Sequence, residues 1–151
     1  LILAGQEDSE IPVRSLPPHC KFIGYIGPEE RARLMGGARA VFVPTEYLEP
    51  FGGTNVEAQL CGTPVITTDF GVFPETVVDG VTGFRCSTMA QFVHAAKNVH
   101  KLHPKKIRAH AERYLTTNVR WEYQQWLDDL YQLYLSAADP AWEGRGWNYV
   151  P

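Results

Sequence analysis

The sequence contains little cysteine, no long apolar run and no excess of basic residues. Its 151 residues include three cysteines, Cys20, Cys61 and Cys86, none of them close to another. An odd number of isolated cysteines argues against a disulfide framework or a structural zinc site and favours a reducing, cytoplasmic compartment. No stretch approaches the roughly 18 apolar residues that a transmembrane helix needs, so no membrane span is predicted.

The charge balance and two missing motifs exclude further classes. The chain has 14 Lys and Arg against 17 Asp and Glu, which gives a net charge of −3. A nucleic-acid or membrane-surface binder needs a basic face, so neither a nucleic acid nor a membrane is expected as a direct partner. The dinucleotide fingerprint GxGxxG and the phosphate loop GxxxxGK[ST] are both missing. Small molecules or proteins are the expected partners.

Short apolar runs that alternate with amphipathic segments indicate the fold class. Such alternation predicts an α/β domain with a Rossmann-like, doubly wound parallel sheet and helices on both faces. The runs have the length of fully buried strands and lie at residues 1–4, 22–25, 40–44, 64–67 and 83–86. Proline, acidic residues and glycine mark helices between the strands at 28–37, 55–60 and 73–78.

After residue 86 the pattern becomes helical. Thr88 and Gln91 have the spacing of a capping box, and further helices are predicted over 104–115 and 118–135. The last helix carries an apolar stripe that forms either core or a contact with another domain. The α/β domain with its helical C-terminal segment is expected to span 1–138, and an aromatic tail over 139–151 is expected to dock on a neighbouring surface.

The stretch T-E-Y-L-E-P-F-G-G-T-N-V-E-A-Q-L-C-G, residues 45–62, joins a predicted strand to a predicted helix. Ligands of open α/β sheets bind beyond the carboxyl ends of strands, where helix N-termini present unpaired N–H groups. Gly52 and Gly53 permit close approach of the backbone to a ligand, and Thr54 adds a hydroxyl at the helix entrance. These features are typical of a phosphate or diphosphate site.

Two carboxylates flank the glycines of this stretch. Glu49 and Glu57 are separated by seven residues, so both can face one pocket. A carboxylate can accept two hydrogen bonds from a vicinal diol, such as that of a ribose or hexose. Two alternatives remain open: Thr54 and Glu57 also have capping-box spacing, and Glu49 could be a solvated loop residue.

The sequence E-P-F-G-G-T-N-V-E-A-Q-L-C-G-T-P-V-I-T-T-D-F-G-V-F-P-E-T-V-V-D-G-V-T-G-F, residues 49–84, resembles a known family. It is similar to the donor-binding half of retaining GT-B glycosyltransferases, the glycogen-synthase-like group called family four, and the resemblance covers roughly residues 22–86. The resemblance implies site residues for a nucleotide-diphospho-sugar donor. By this resemblance Glu49 lies beside the sugar as the catalytic group, with a positioning and electrostatic role. Glu57 binds the ribose hydroxyls. The sugar hydroxyls and the diphosphate are bound by the backbone of Phe51, Gly52, Gly53 and Thr54, and the base lies near Gly24 and Tyr25.

The resemblance also implies an activity: sugar transfer with retention, without a metal or other cofactor. Members of the family have two Rossmann-like domains, and the acceptor, together with any peripheral membrane contact, belongs to an N-terminal domain that this sequence lacks. The family's diphosphate-binding Arg and Lys, and a strand from the middle of the sheet, have no counterpart here. The chain alone is therefore expected to bind donor weakly, to transfer nothing and to self-associate.

Two other functions remain open. One is a nucleotide-sugar 2-epimerase of the same two-domain architecture, and the other is a catalytically silent nucleotide-sugar-binding or regulatory module. Residues 71–75, G-V-F-P-E, resemble the family's G-G-x-P-E loop except at Val72, which makes Glu75 a secondary candidate. The donor base, the sugar and the acceptor are left open by the sequence.

Overall fold

The computed structural model describes residues 1–7 and 13–137. The chain forms two compact units, Leu1–Ala111 and a second that begins at Glu112. The tail predicted over 139–151 lies outside the described residues. The strands are β1 (Ile2–Leu3), β2 (Lys21–Phe22), β3 (Val41–Val43), β4 (Val65–Thr68) and β5 (Gly83–Cys86). The helices are α1 (Pro28–Gly37), α2 (Gly53–Leu60), α3 (Phe73–Thr76), α4 (Met89–Asn98), α5 (Pro104–Ala111) and α6 (Thr116–Ala137).

All strand pairs in the first unit are parallel, which confirms the predicted α/β class. The described strands form two sheets, one with the order β1-β2 and the other with the order β3-β4-β5. In the larger sheet Val65 of β4 is in register with Val41 on one side and Gly83 on the other.

Strand β4 lies at the centre of the core and has helices on both of its faces. Val65 and Ile66 are both 0% exposed, and their side chains point to opposite faces because successive residues of a strand alternate. On the first face Val65 packs with Met35, Ala58, Phe73 and Val77, which lie on or beside α1, α2 and α3. On the second face Ile66 packs with Cys86, Ala95 and Val99 of β5, α4 and the turn after α4.

The prediction that every strand is fully buried is wrong for β1, β2 and β3. Ile2 of β1 is 53% exposed and Phe42 of β3 is 43% exposed, whereas Val65, Ile66 and Thr67 of β4 are buried. The physical reason is the division of the sheet. Within the described residues β1 and β2 pair only with each other and β3 pairs only with β4, so all three are edge strands.

Local helix signals predict most helix starts correctly. Helix α1 begins at Pro28, followed by acidic residues in its first turn, as predicted. The capping box of α4 is formed: the Gln91 amide donates to Thr88 Oγ1 (3.3 Å) and the Thr88 amide to Gln91 Oε1 (3.0 Å). Helix α2 begins at Gly53, two residues earlier than predicted. The helix predicted over 104–115 instead ends at Ala111 and continues as a 3-10 turn.

Helix α6 of the second unit covers the segment predicted at 118–135. The side chains of its apolar stripe are exposed, with Tyr123 at 65% and Trp126 at 59%. Within the second unit the alternative that this stripe is core is therefore wrong, and the alternative that it contacts another domain stays a prediction. None of the helices in the described ranges is long and apolar enough to cross a bilayer.

Candidate functional site

A cavity of about 410 Å³ lies beyond the carboxyl end of β3, where the loop after the strand leads into α2. Its position agrees with the rule that open parallel sheets bind ligands outside the carboxyl ends of their strands. The lining combines apolar, hydroxyl and charged groups. It consists of Arg31, Val43, Thr45, Tyr47, Glu49, Gly52, Gly53, Thr54 and Glu57.

Gly52 turns the chain from the loop into α2. It occupies the N-cap position with φ of +71°, a left-handed conformation that glycine adopts without steric penalty. The residue is buried, and its amide donates to Glu49 Oε1 (3.0 Å). The turn therefore places the N-terminus of α2, with the partial positive charge of its first amides, beside a carboxylate at the cavity wall.

Both oxygens of the Glu49 carboxylate accept hydrogen bonds. The Tyr47 hydroxyl donates to Oε2 (2.7 Å), and the Gly52 amide donates to Oε1. The Tyr47 hydroxyl first, and then the backbone amides of Gly52 and Phe51, hold the pKa of Glu49 below its usual value. Glu49 is therefore an anion at neutral pH, oriented at both oxygens.

The backbone of Glu49 rests against the loop that follows β4. The Val72 amide donates to the Glu49 carbonyl oxygen (3.0 Å). Gly71 has φ of +65°, and a Cβ at this position would lie 2.9 Å from the Glu49 nitrogen and 3.1 Å from its oxygen. Glycine is thus required at position 71 for both its conformation and its close approach, and this contact places Glu49 relative to β4.

Glu57 lies in α2 and pairs with Arg31 of α1. The Arg31 Nε lies 2.7 Å from Glu57 Oε2 and its Nη2 lies 2.9 Å from Oε1, so the ion pair is bidentate. The capping-box alternative for Thr54 and Glu57 is wrong. Helix α2 begins at Gly53 with no side-chain cap, which puts Thr54 inside the helix, and the Glu57 carboxylate is engaged by Arg31.

A buried polar network holds α2 against α3. The Asn55 Nδ2 donates to Thr76 Oγ1 (2.6 Å), and the Gln59 Nε2 donates to Asn55 Oδ1 (2.6 Å) and to the Thr76 carbonyl oxygen (2.9 Å). Asn55 and Gln59 are both 0% exposed, and Thr76 is 1% exposed. Because buried polar groups are expensive to leave unpaired, this network fixes the axis of α2 and hence the wall of the cavity.

The chemistry available in the cavity is that of two carboxylates, hydroxyl groups and the N-terminus of a helix. Such a set can bind a hydroxylated ligand and an anion together. The residues that the structure describes contain no group of three or more His, Cys, Asp or Glu that could hold a metal ion. Metal independence, which the resemblance implied, stays a prediction.

A comparison with protein families identifies the chain. The family described as "Glycosyl transferases group 1" matches residues 1–114, which include the whole cavity. The chain belongs to this glycosyltransferase family. Glycogen synthase from Mycobacterium tuberculosis is 31% identical over 107 residues, which cover 68% of the chain and 25% of that relative. The chain thus spans about a quarter of the length of this curated relative.

Solved structures resemble the fold of this chain. Sucrose-phosphate synthase from Thermosynechococcus elongatus matches with a TM-score of 0.67 at 24% identity, over 91% of the chain and 39% of that structure. The Anabaena protein HepE in complex with UDP-glucose matches with a TM-score of 0.64 at 25% identity, over 87% of the chain and 40% of that structure. HepE is itself seen with a nucleotide sugar.

The cavity brings together five of the eight residues predicted for the site: Glu49, Gly52, Gly53, Thr54 and Glu57. The other three do not line it. Phe51 is 50% exposed, and Tyr25, 81% exposed, has its hydroxyl 3.5 Å from Gln6 Oε1. Gly24 accepts the Gly5 amide at its carbonyl oxygen (2.9 Å) in the turn after β2.

Four lining residues escape the sequence reasoning: Arg31, Val43, Thr45 and Tyr47. Val43, Thr45 and Tyr47 alternate along the end of β3 and its loop, which is a usable signal, since every second side chain of an extended segment shares a face. No local sequence pattern marks Arg31 as a site residue. It lies 26 residues before Glu57 in a helix whose sequence suggests only a solvated surface.

Proposed function

We propose that the parent protein of this chain transfers a sugar from a nucleotide-diphospho-sugar to an acceptor with retention and without a metal. In this proposal the chain supplies the donor-binding domain, and the acceptor is bound by another domain of the parent protein. The single observation that carries it is the convergence of Glu49, Glu57 and the N-terminus of α2 on one cavity of about 410 Å³.

The proposed donor pose follows the order of groups around the cavity. The diphosphate lies at the N-terminus of α2, where the amides of Gly53 and Thr54 and the helix dipole favour an anion. Glu57, on the next turn of α2, accepts hydrogen bonds from the ribose hydroxyls. Glu49, which precedes the Gly52 turn, lies beside the sugar. Each hydrogen bond to a shielded carboxylate is worth about 1.5–3 kcal/mol, and exposure at the open mouth of the cavity reduces that value.

The comparisons support this donor class. HepE, to which the chain is similar, is seen with UDP-glucose and with UDP. Membership of the glycosyltransferase family supports transfer chemistry as the activity of the parent protein. The identity of the base, of the sugar and of the acceptor remains outside the proposal.

The proposed role of Glu49 in catalysis is electrostatic. Its lowered pKa keeps it anionic, and its two hydrogen bonds hold the carboxylate still, so it is suited to stabilise positive charge that develops at the anomeric carbon. Retention then arises when the leaving diphosphate accepts the acceptor proton on the same face of the sugar. Glu49 positions the sugar and stabilises its developing charge, and it forms no covalent bond with the sugar.

The test is calorimetric titration of the chain with UDP, GDP, ADP and their diphospho-sugars, repeated on Glu57→Ala. We expect weak binding that prefers one base and weakens about tenfold or more in the variant, as expected for lost charge-assisted hydrogen bonds. Glu29→Ala, which removes an equal charge from the exposed first turn of α1, is the control. Equal affinity of Glu57→Ala and the unaltered chain would contradict the ribose assignment.

Assays of the parent protein separate the two alternatives. A catalytically silent module predicts that the full-length parent protein transfers no sugar, and a purely regulatory one also predicts no response to any nucleotide. An epimerase predicts an epimerised sugar when the parent protein is incubated with a nucleotide sugar in the absence of acceptor. Sugar transfer by the parent protein with retained anomeric configuration, seen by NMR of the product, would exclude both.

A further inference from the structure

The pairing of Arg31 with Glu57 lies outside the motif that carries the family resemblance. Arg31 belongs to α1, and its guanidinium reaches the carboxylate of α2 with two contacts of 2.7 and 2.9 Å. Both residues line the cavity. A bidentate guanidinium–carboxylate pair fixes the plane of the carboxylate, whereas a single contact leaves it free to rotate about its last bond.

We propose that Arg31 is a positioning residue that orients Glu57 to recognise the 2′-hydroxyl of a ribose. This inference rests on the proposed function, in which Glu57 binds the ribose of the donor. Arg31 makes the site selective for ribonucleotides over 2′-deoxyribonucleotides. It does so through Glu57 and without contact to the sugar.

The hydrogen-bonding capacity of the carboxylate permits both tasks. An ionised carboxylate has about four lone-pair sites, two on each oxygen. The bidentate pair with Arg31 occupies one site on Oε1 and one on Oε2. One site on each oxygen remains, on the outer edges of the carboxylate, and either of them can accept the 2′-hydroxyl of a ribose while Arg31 keeps its two contacts. A carboxylate held in this plane loses little further freedom when the ribose binds.

The backbone of α1 is held close to α2, so the origin of the Arg31 side chain is fixed. Thr63 follows α2, and its buried hydroxyl donates to the carbonyl oxygen of Met35 (2.6 Å). The Cys61 thiol contacts the carbonyl oxygen of Ala32 (3.8 Å). Arg31 therefore extends from a helix tied to α2 at its later turns, which is what a positioning residue requires.

A competing role for Arg31 makes a different prediction. The guanidinium has five N–H donors, of which the pair with Glu57 uses two, so the others could in principle contact the diphosphate. In that case removal of Arg31 would weaken ribonucleotides and 2′-deoxyribonucleotides equally. Its effect would also persist when Glu57 is replaced. The positioning role predicts that ribonucleotides are weakened more than 2′-deoxyribonucleotides. It also predicts that the effect disappears when Glu57 is replaced.

The experiment measures affinities of the full chain for the pairs UDP and 2′-deoxy-UDP, GDP and 2′-deoxy-GDP, and ADP and 2′-deoxy-ADP. We expect the unaltered chain to prefer the ribonucleotide of its best pair about tenfold, the scale of one charge-assisted hydrogen bond. Arg31→Gln should reduce that preference at least threefold, and Arg31→Lys should restore part of it. Arg33→Gln is the matched control, because Arg33 lies on the same helix, is exposed and pairs with Glu30 instead.

A double-variant cycle decides how Arg31 acts. If it acts through Glu57, Arg31→Gln has no further effect on the ribo/deoxy preference in a Glu57→Gln background. An equal loss for both members of each pair, or a loss that persists in the Glu57→Gln background, overturns the inference and leaves the proposed function standing. A chain that is folded by circular dichroism and binds none of the six nucleotides overturns both.

Discussion

The hydroxyl of Tyr47 donates a 2.7 Å hydrogen bond to Glu49, two residues further along the chain. The extended end of β3 and its loop place both side chains on one wall of the cavity. This bond is the largest cause of the lowered pKa of Glu49, and the same bond raises the pKa of Tyr47. One hydrogen bond therefore moves the two pKa values in opposite directions.

Tyr47→Phe should raise the pKa of Glu49 toward its usual value. The phenol stabilises the carboxylate, so its loss favours the protonated form, although the amide bonds from Gly52 and Phe51 remain. The measurement is an NMR titration of the carboxyl carbons of Glu. In the unaltered chain Glu49 stays ionised to lower pH than an ordinary Glu, and the variant should lose that charge at higher pH. Tyr25→Phe, at an exposed phenol outside the cavity, is the control. An unchanged Glu49 titration would contradict the assignment.

Gly71→Ala should destabilise the first unit more than Gly80→Ala. Both glycines have left-handed backbones, with φ of +65° and +71°, so each alanine carries a similar conformational cost of about 1–2 kcal/mol. A Cβ at Gly71 would lie 2.9 Å from the Glu49 nitrogen, whereas a Cβ at Gly80 has nothing within 4 Å. The difference between the two free energies of unfolding, measured by urea denaturation, isolates the contact with Glu49. Equal losses would mean that the loop moves away without cost.

Asn55→Ala should lower the free energy of unfolding by about 2–4 kcal/mol. The change removes a fully buried side chain, leaves a small cavity and takes away one hydrogen bond each from the Thr76 hydroxyl and the Gln59 side-chain amide, which keep their bonds to the Val72 and Thr76 carbonyl oxygens. Asn98→Ala is the control, because the Asn98 side chain makes an exposed hydrogen bond to the His94 carbonyl oxygen. The control should change stability by less than about 1 kcal/mol. A similar small effect at Asn55 would show that the network is replaced by water.

Residues 1–151 on their own should self-associate at micromolar concentrations. Strands β1 and β3 each have an unpaired edge within the described residues, and exposed edges promote pairing between chains. Ile2→Lys, on the edge strand β1, should weaken association. Val93→Lys, at a similarly exposed apolar residue of α4, should not. Light scattering coupled to size exclusion gives the mass, and a stable monomer of 17.0 kDa would contradict this prediction.

Much of the fold was predictable because its signals are local. Apolar runs of four or five residues give the strands, and β5 occurs at 83–86 as predicted. Pro28 and the Thr88–Gln91 pair give helix starts, since a helix terminus is satisfied by groups within three or four residues. Burial was not predictable from the same runs. Ile2 and Phe42 are exposed because the sheet is divided, and no property of residues 1–4 or 40–44 encodes their neighbours.

The candidate site shows the same contrast between local signals and long-range contacts. The sequence by itself determined the glycine turn at Gly52 and the seven-residue spacing that puts Glu49 and Glu57 on either side of it, because a turn and a helix repeat follow from short-range sterics. Only the tertiary structure decided what each carboxylate contacts. The Arg31–Glu57 pair joins residues 26 apart, and Gly71 meets Glu49 across neighbouring strand ends. Such contacts depend on how helices and strands pack in space, so they become visible only once α1, α2 and the loop after β4 are placed around one cavity.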